Sequence, residues 1–422
     1  MKQKQTIVSC LIVAMALGTA WAVRGKFGHE QGAAWAGSIG SIALILVAKR
    51  KDWYDKVFKV ALAAAFGWGL GGMISYGLVV GYGRGTDFIN VYYGLAMLFV
   101  IGALYGFLGG GLMGLVLVDS KEFKVKWHSL IVEMIAGSLI IYALLINQLG
   151  WLMTPPRSEL WAACFGAAIA LAWYILRHKQ RAVIKVSVCA SLGAGFGFAF
   201  GNFLQVLGTN SGLPFNFWNI MEYSIGFFGG LGMAYGTLTS AWPLVEGEKN
   251  KASNLVPMLL LLVFIPFVLW QQSFVNKTLD FLIELGGNEN TILSFRVISL
   301  VTVVALAAVM FSRFYKMSYT YQSVRAIFLL YIGSYTFLSF LATGILTHPI
   351  EQYLYLVNIA AIVFLLPSVN NTFAVQQEQP KKWLAGFGIA MVILAVLAVI
   401  AINSHEELKG SHVRFDWHSE VE

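Results

Sequence analysis

Near its N-terminus the chain reads Arg24-Gly25-Lys26-Phe27-Gly28-His29-Glu30-Gln31-Gly32, a dense polar string between two apolar runs. Ionisable groups at such a place can hold a charged solute, relay a proton through His29 and Glu30, or supply a general base. Gly25, Gly28 and Gly32 permit a sharp turn. Glu30 falls at the start of the next helical run, where the positive end of the helix dipole favours a carboxylate. The same string also fits an ordinary capped turn. No second histidine follows His29 at metalloprotease spacing, so no zinc site of that type is expected.

Further along, Asn216, Asn219 and Tyr223 recur at intervals of three and four beside Glu222, which puts amides and a phenol on one helical stripe. Asn202 and Gln205 lie one turn apart on the preceding run. Tyr335, Ser339 and Thr343 repeat every four residues, and His348, Glu351, Gln352, Tyr355 and Asn358 continue the polarity, as if two stripes lined a cavity. The substrate-binding set expected from these patterns is Arg24, His29, Glu30, Gln31, Asn202, Gln205, Asn216, Asn219, Glu222, Tyr223, His348 and Glu351. Each amide also has a plain structural use, since interhelical amide bonds stabilise membrane bundles by roughly 0.6 to 2 kcal/mol. Arg296, Arg325 and Glu133 lie close enough to span ends to snorkel or sit at the interface. His405, His412 and His418 match no standard metal spacing.

The elements that must carry these residues are membrane helices. Of 422 residues 58% are hydrophobic and 12% charged, with a mean hydropathy of +0.70, which excludes a water-soluble enzyme. Three cysteines, Cys10, Cys164 and Cys189, sit in apolar runs and suit neither disulfides nor a thiolate metal site. Apolar segments at 6–23, 33–48, 57–82, 88–118, 128–152, 160–176, 182–208, 216–242, 254–273, 291–312, 319–346, 351–369 and 384–402 predict an all-α polytopic bundle of about thirteen spans. With the N-terminus inside, all of the 29 basic residues except Arg24, Lys26, Arg84, Arg157, Lys277, Arg296, Lys409 and Arg414 fall on the cytoplasmic side. That is the positive-inside pattern, N-in and C-out. The net charge of +8 is then orientation rather than a nucleic-acid footprint. The first span, flanked by Lys2 and Lys4, has features of a cleavable signal peptide, but the repeat described next requires it to be retained.

Lys59 to Gly71 aligns with Lys185 to Gly197 at a constant offset of 126, which also pairs Gly40 with Gly166 and Asn90 with Asn216. Two parallel four-helix units follow, residues 1–126 and 127–252, then a five-helix bundle at 253–402 and an exposed acidic tail at 403–422. Asn147-Gln148 and Gln271-Gln272, 124 apart, point to an eroded third copy. Glycines crowd spans three, four, seven and eight, where they serve close helix packing or unwound segments with exposed carbonyls. Gly67-Trp68-Gly69-Leu70-Gly71-Gly72 matches a dinucleotide fingerprint in letters only, since no strand precedes it.

The leading expectation is a plasma (inner) membrane transporter or facilitator for a small polar or charged solute, with a polar cavity opening to the extracytoplasmic side. No soluble domain is available for ATP hydrolysis, which leaves an ion gradient as driving force. The expected partners are the solute, a coupling ion and the bilayer, with no nucleic acid, cofactor or metal. Glu30 or His29 as general base in the first outer turn would instead suit a multi-pass glycosyl or acyl transferase acting on a lipid-linked or extracytoplasmic substrate. The layout resembles that of multi-pass glycosyltransferases in architecture alone, with a shorter first outer loop and no shared motif. A third reading is a scaffold whose glycine faces serve partner helices.

Overall fold

The computed structural model describes residues 2–244, 254–277, 279–315, 318–343, 347–370, 373–377, 379–406 and 408–415. Hydrocarbon offers no hydrogen bonds, so apolar segments must satisfy their own backbone, and among the described residues they do so as helices with no strand. The helices are α1 (Lys2–Arg24), α2 (His29–Ala48), α3 (Lys51–Tyr54), α4 (Val57–Gly72), α5 (Gly77–Tyr82), α6 (Phe88–Val118), α7 (Trp127–Tyr142), α8 (Leu160–Arg177), α9 (Arg181–Asn210) and α10 (Phe217–Leu238). They are followed by α11 (Leu255–Leu259), α12 (Ile265–Trp270), α13 (Asp280–Glu284), α14 (Glu289–Phe314), α15 (Tyr321–Thr343), α16 (Ile350–Leu365) and α17 (Pro380–Ile402). Wider π-helical turns extend α7 over Ala143–Gln148 and flank α12 at Leu260–Phe264 and Gln271–Asn276.

Eleven helical stretches are long and apolar enough to cross a membrane, against the thirteen expected spans. The two segments outside that set depart for physical reasons. The 57–82 run is interrupted, since α4 is only 16 residues long and the backbone leaves the helix at 73–76 before α5 begins. α10 is a 22-residue helix, but its asparagine, glutamate, tyrosine and glycine content dilutes its apolar character.

Helix α2 is the hub, with every residue from Gln31 to Ala48 buried. At the periphery, Val132, Ile135 and Leu139 of α7, Val297, Val301 and Val304 of α14, and Leu384, Val392 and Val396 of α17 are exposed, as lipid-facing side chains are. The helices around the hub pack through glycine. A Cβ at Gly67 of α4 would overlap the Leu108 carbonyl of α6, and one at Gly106 of α6 would overlap the Ala190 carbonyl of α9. The pattern continues from Gly193 and Gly197 of α9 onto α10 at Phe228 and Ser224, and from Gly226 of α10 onto Leu17 of α1. α6, α9 and α10 remain helical through their glycine runs, so these residues serve backbone approach, whereas the chain leaves the helix after Gly71-Gly72 at the α4–α5 break.

One other expectation changes in three dimensions. Residues 408–415 fold back on the bundle instead of lying free in solvent. The His412 amide donates to the Gly81 carbonyl at 3.1 Å, the Arg414 amide to Asn90 Oδ1 at 2.7 Å, and Phe415 packs edge-on against Tyr93. The acidic part of the tail beyond Phe415, with His418, lies outside the described residues. Glu133 pairs with Arg177 at 2.7 Å in a half-exposed position, as an interfacial residue can, and Arg296 bonds the carbonyls of Phe274 and Val275.

Close packing of α6 on α9 makes a direct prediction. Gly106→Val should destabilise the chain by about 1 to 3 kcal/mol or more, by forcing backbones apart. Gly388→Ala, where an added Cβ meets nothing within 4 Å, should be neutral or stabilising. Thermal unfolding in detergent checks both.

Candidate functional site

Arg24 is the last residue of α1 and His29 the first of α2, and the turn between them is closed by the Phe27 amide donating to the Arg24 carbonyl at 2.9 Å. This turn points the Arg24 side chain inward, where it is 1% exposed. Its Nη2 donates to Glu222 Oε2 at 2.5 Å and to Tyr76 Oη at 3.1 Å, while Tyr76 donates to Glu222 Oε1 at 2.7 Å. Glu222 is the sixth residue of α10, about 8 Å below the helix start at 1.5 Å per residue. Both its oxygens are engaged. Arg24 Nη1 lies 3.0 Å from His29 Nδ1. A guanidinium has no acceptor, so Nδ1 must accept and the neutral ring carries its proton on Nε2.

Aromatic rings close the cluster from below. Trp21 stacks under the Arg24 guanidinium at 4.8 Å, Trp68 and Tyr105 pack on Trp21 at 5.0 and 5.5 Å, and Phe198 packs on Tyr76 at 5.0 Å. Cation–π attraction from tryptophan offsets part of the desolvation of the guanidinium. Arg24 Nε, Trp21 Nε1, Trp68 Nε1 and the Tyr105 hydroxyl are buried with no hydrogen-bond partner. The surroundings are therefore rich in donors and short of acceptors.

Above the cluster lies a cavity of about 540 Å³. Its wall includes His29 and Glu30 of α2, Ser75 and Tyr76 of the α4–α5 break, Arg157, Trp218 of α10 and His412 of the folded-back tail. His29 and Tyr76 thus face the cavity on one side and hold the Arg24–Glu222 pair on the other. The break is what permits this. A continuous helix through 73–76 would keep its backbone bonds internal, whereas the interrupted chain presents Ser75 and Tyr76 where an irregular backbone can border a polar cavity.

The other expected residues are placed as follows. Lys26 lies 3.6 Å from Glu351, which also accepts from Asn216 Nδ2 at 3.5 Å. Asn219 donates to the Ala22 carbonyl at 3.1 Å and to Tyr355 at 2.5 Å, joining α10 to α1 and α16. Asn202 donates to the Val80 carbonyl and to Gln205, and so braces α5. Gln31 bonds Gln272, and Tyr223 packs on Phe227 and against Gly18. His348 is exposed and bonds Tyr353 at 3.0 Å, away from the cluster. Ser339 and Thr343 of α15 bond Gln352 of α16. The α15 and α16 stripes are therefore tied to each other, and of the expected set His29 and Glu30 border the cavity with Arg24 and Glu222 directly behind.

Sequence reasoning missed Tyr76, Arg157 and Trp218. The signal for Tyr76 was Ser75-Tyr76-Gly77 following Gly71-Gly72 inside an apolar run. Among the described residues no group of three or more His, Cys, Asp or Glu side chains could hold a metal ion.

Removing one member of a buried ion pair leaves its partner uncompensated, at about 3 to 5 kcal/mol, while an apolar pair of similar volume can be nearly neutral. Arg24→Met and Glu222→Met should each destabilise by that order, and the double variant should be far more stable than the sum of the two losses implies. Unfolding of the four proteins in one detergent measures the coupling, and simple additivity would contradict the pairing.

Comparison with protein-family models, with curated proteins and with solved structures finds no match to this chain.

Proposed function

We propose that this multi-pass membrane protein is a transporter or facilitator for a small polar or charged solute, taken up through the cavity above Tyr76. The observation that carries the reading is that His29 and Tyr76 belong both to the cavity wall and to the buried Arg24–Glu222 network. A volume of about 540 Å³ falls in the range of small-molecule sites, about 300–1,000 Å³. A broken helix bordering such a cavity is a recurring source of solute sites in transporters.

In this mechanism a solute that bonds Tyr76 or His29 competes with the bonds those residues make to Arg24 and Glu222. Weakening them frees the ion pair to change partners, which couples occupancy of the cavity to the packing of α1 against α10. Arg157, His29 and His412 line the cavity beside a single carboxylate, Glu30, so the lining favours acceptor-rich solutes. Glu222 and His29 are the groups through which a proton gradient would act. The duplicated segments at an offset of 126 suit rocking of two parallel units about an axis along the membrane normal, and the charge bias suits a cavity open to the extracytoplasmic side of the plasma membrane.

The transferase reading has one supporting observation, the exposed pair His29 and Glu30 in the cavity. Its second acid is unsuited to the task, because Glu222 spends both oxygens on Arg24 and Tyr76.

Uptake into proteoliposomes tests the proposal with a panel of small anions, zwitterions and neutral polar solutes. At least one should accumulate through the wild-type chain. Ser75→Trp, which fills the cavity, and Tyr76→Phe should cut its uptake by about tenfold or more, equivalent to roughly 1.4 kcal/mol at the site. No uptake of any solute by folded protein, or uptake indifferent to both variants, would reject it.

A further inference from the structure

A second and larger cavity, about 1,040 Å³, lies far from the first, between α1, α9, α10 and α17. It is graded along the helices. At the end nearest the N-terminus the wall carries Gln3, Lys185, Gln377, Gln379 and Lys382, while further along it becomes Leu11, Leu192, Phe196, Leu231 and Ile393. From Lys382 to Ile393 the α17 wall runs about 17 Å at 1.5 Å per residue. One leaflet of hydrocarbon is about 15 Å deep, half of a core about 30 Å thick. The groove therefore matches a single leaflet in length and in the order of polar and apolar surface.

Charge narrows the occupant. Lys185 and Lys382 lie in the wall, and among its described residues there is no carboxylate. Lys185 is held in place by the Thr239 carbonyl at 2.8 Å and the Gln376 carbonyl at 3.3 Å, so its charge sits at the polar end of the groove by construction. Lys382 is exposed on the first turn of α17, beside Trp383, an aromatic at the depth where such rings anchor to headgroups.

We propose that this groove binds one phospholipid with an anionic headgroup, drawn from the leaflet on the side of the N-terminus. Its phosphate meets Lys382 and the glutamine amides, and an acyl chain lies along Leu192, Phe196 and Ile393. The lipid completes the contact between α17 and the α1–α10 pair, which protein atoms leave open. The site is independent of the solute cavity.

Native mass spectrometry of the full chain in detergent, titrated with phosphatidylglycerol or phosphatidylcholine, tests the proposal. The wild type should retain one phosphatidylglycerol per chain in preference to phosphatidylcholine. Lys382→Gln should weaken phosphatidylglycerol retention about fivefold, the effect of one lysine at a lipid surface, and leave phosphatidylcholine unchanged. Gly386→Leu should abolish retention of both lipids. An added Cβ there meets Leu192 Cδ1 at 3.5 Å, an ordinary contact, and the rest of the side chain enters the groove. Equal retention of the two lipids by the wild type would overturn the proposal, as would phosphatidylglycerol retention unchanged by Lys382→Gln. The second criterion stands even if Gly386→Leu fails to fold.

Discussion

A guanidinium and a carboxylate taken into an apolar bundle each lose several kcal/mol of hydration, and the loss is recovered only where geometry and hydrogen bonds are both favourable. Arg24 and Glu222 meet that condition through Tyr76, His29 and the face of Trp21. Much of the surrounding architecture follows from it. α1 must end where its last side chain can turn inward, α10 must place Glu222 below its first turn, and the span between α4 and α5 must break to bring Tyr76 across. The glycine contacts between α10 and α1 let the two charged helices approach closely enough for a direct pair.

The ion pair also sets what the neighbouring cavity can do. Two of its wall residues, His29 and Tyr76, are already bonded to the charges behind them, so the wall and the pair share hydrogen bonds. The partners that hold the bundle elsewhere are of a different kind. Asn202 with Gln205, Gln31 with Gln272, and Gln352 with Ser339 are neutral amide contacts of the sort that fix helix register. Separating the two classes needs burial and neighbours, because an amide at a helix stripe and an amide at a solute site look alike in one dimension.

The helical membrane class and the approximate position of every long span were legible in the chain, since apolar runs punctuated by charge are a composition signal. The polar turn at Arg24 to Gln31 was legible for the same reason. The break at 73–76 was not, because Met73 and Ile74 keep the run apolar and the cost of breaking it is met by tertiary partners. Nor could periodicity pair Arg24 with Glu222, 198 residues away, when Glu30 lay nearer in the chain and Glu351 was the same kind of residue. The return of residues 408–415 to the bundle was hidden by their polar composition, which reads as solvated until the carbonyl of Gly81 and the amide of Asn90 are seen to receive them.

The cavity is open on one face and closed by Tyr76 and His29 above a buried ion pair. Thiol labelling measures this most directly, in a chain whose three cysteines have been replaced and single cysteines introduced at Ser75 and Phe198. A membrane-impermeant reagent applied to the face carrying residues 409–415 should modify the cysteine at 75 and spare the one at 198. An unreactive 75, or equal labelling of 198, would contradict it.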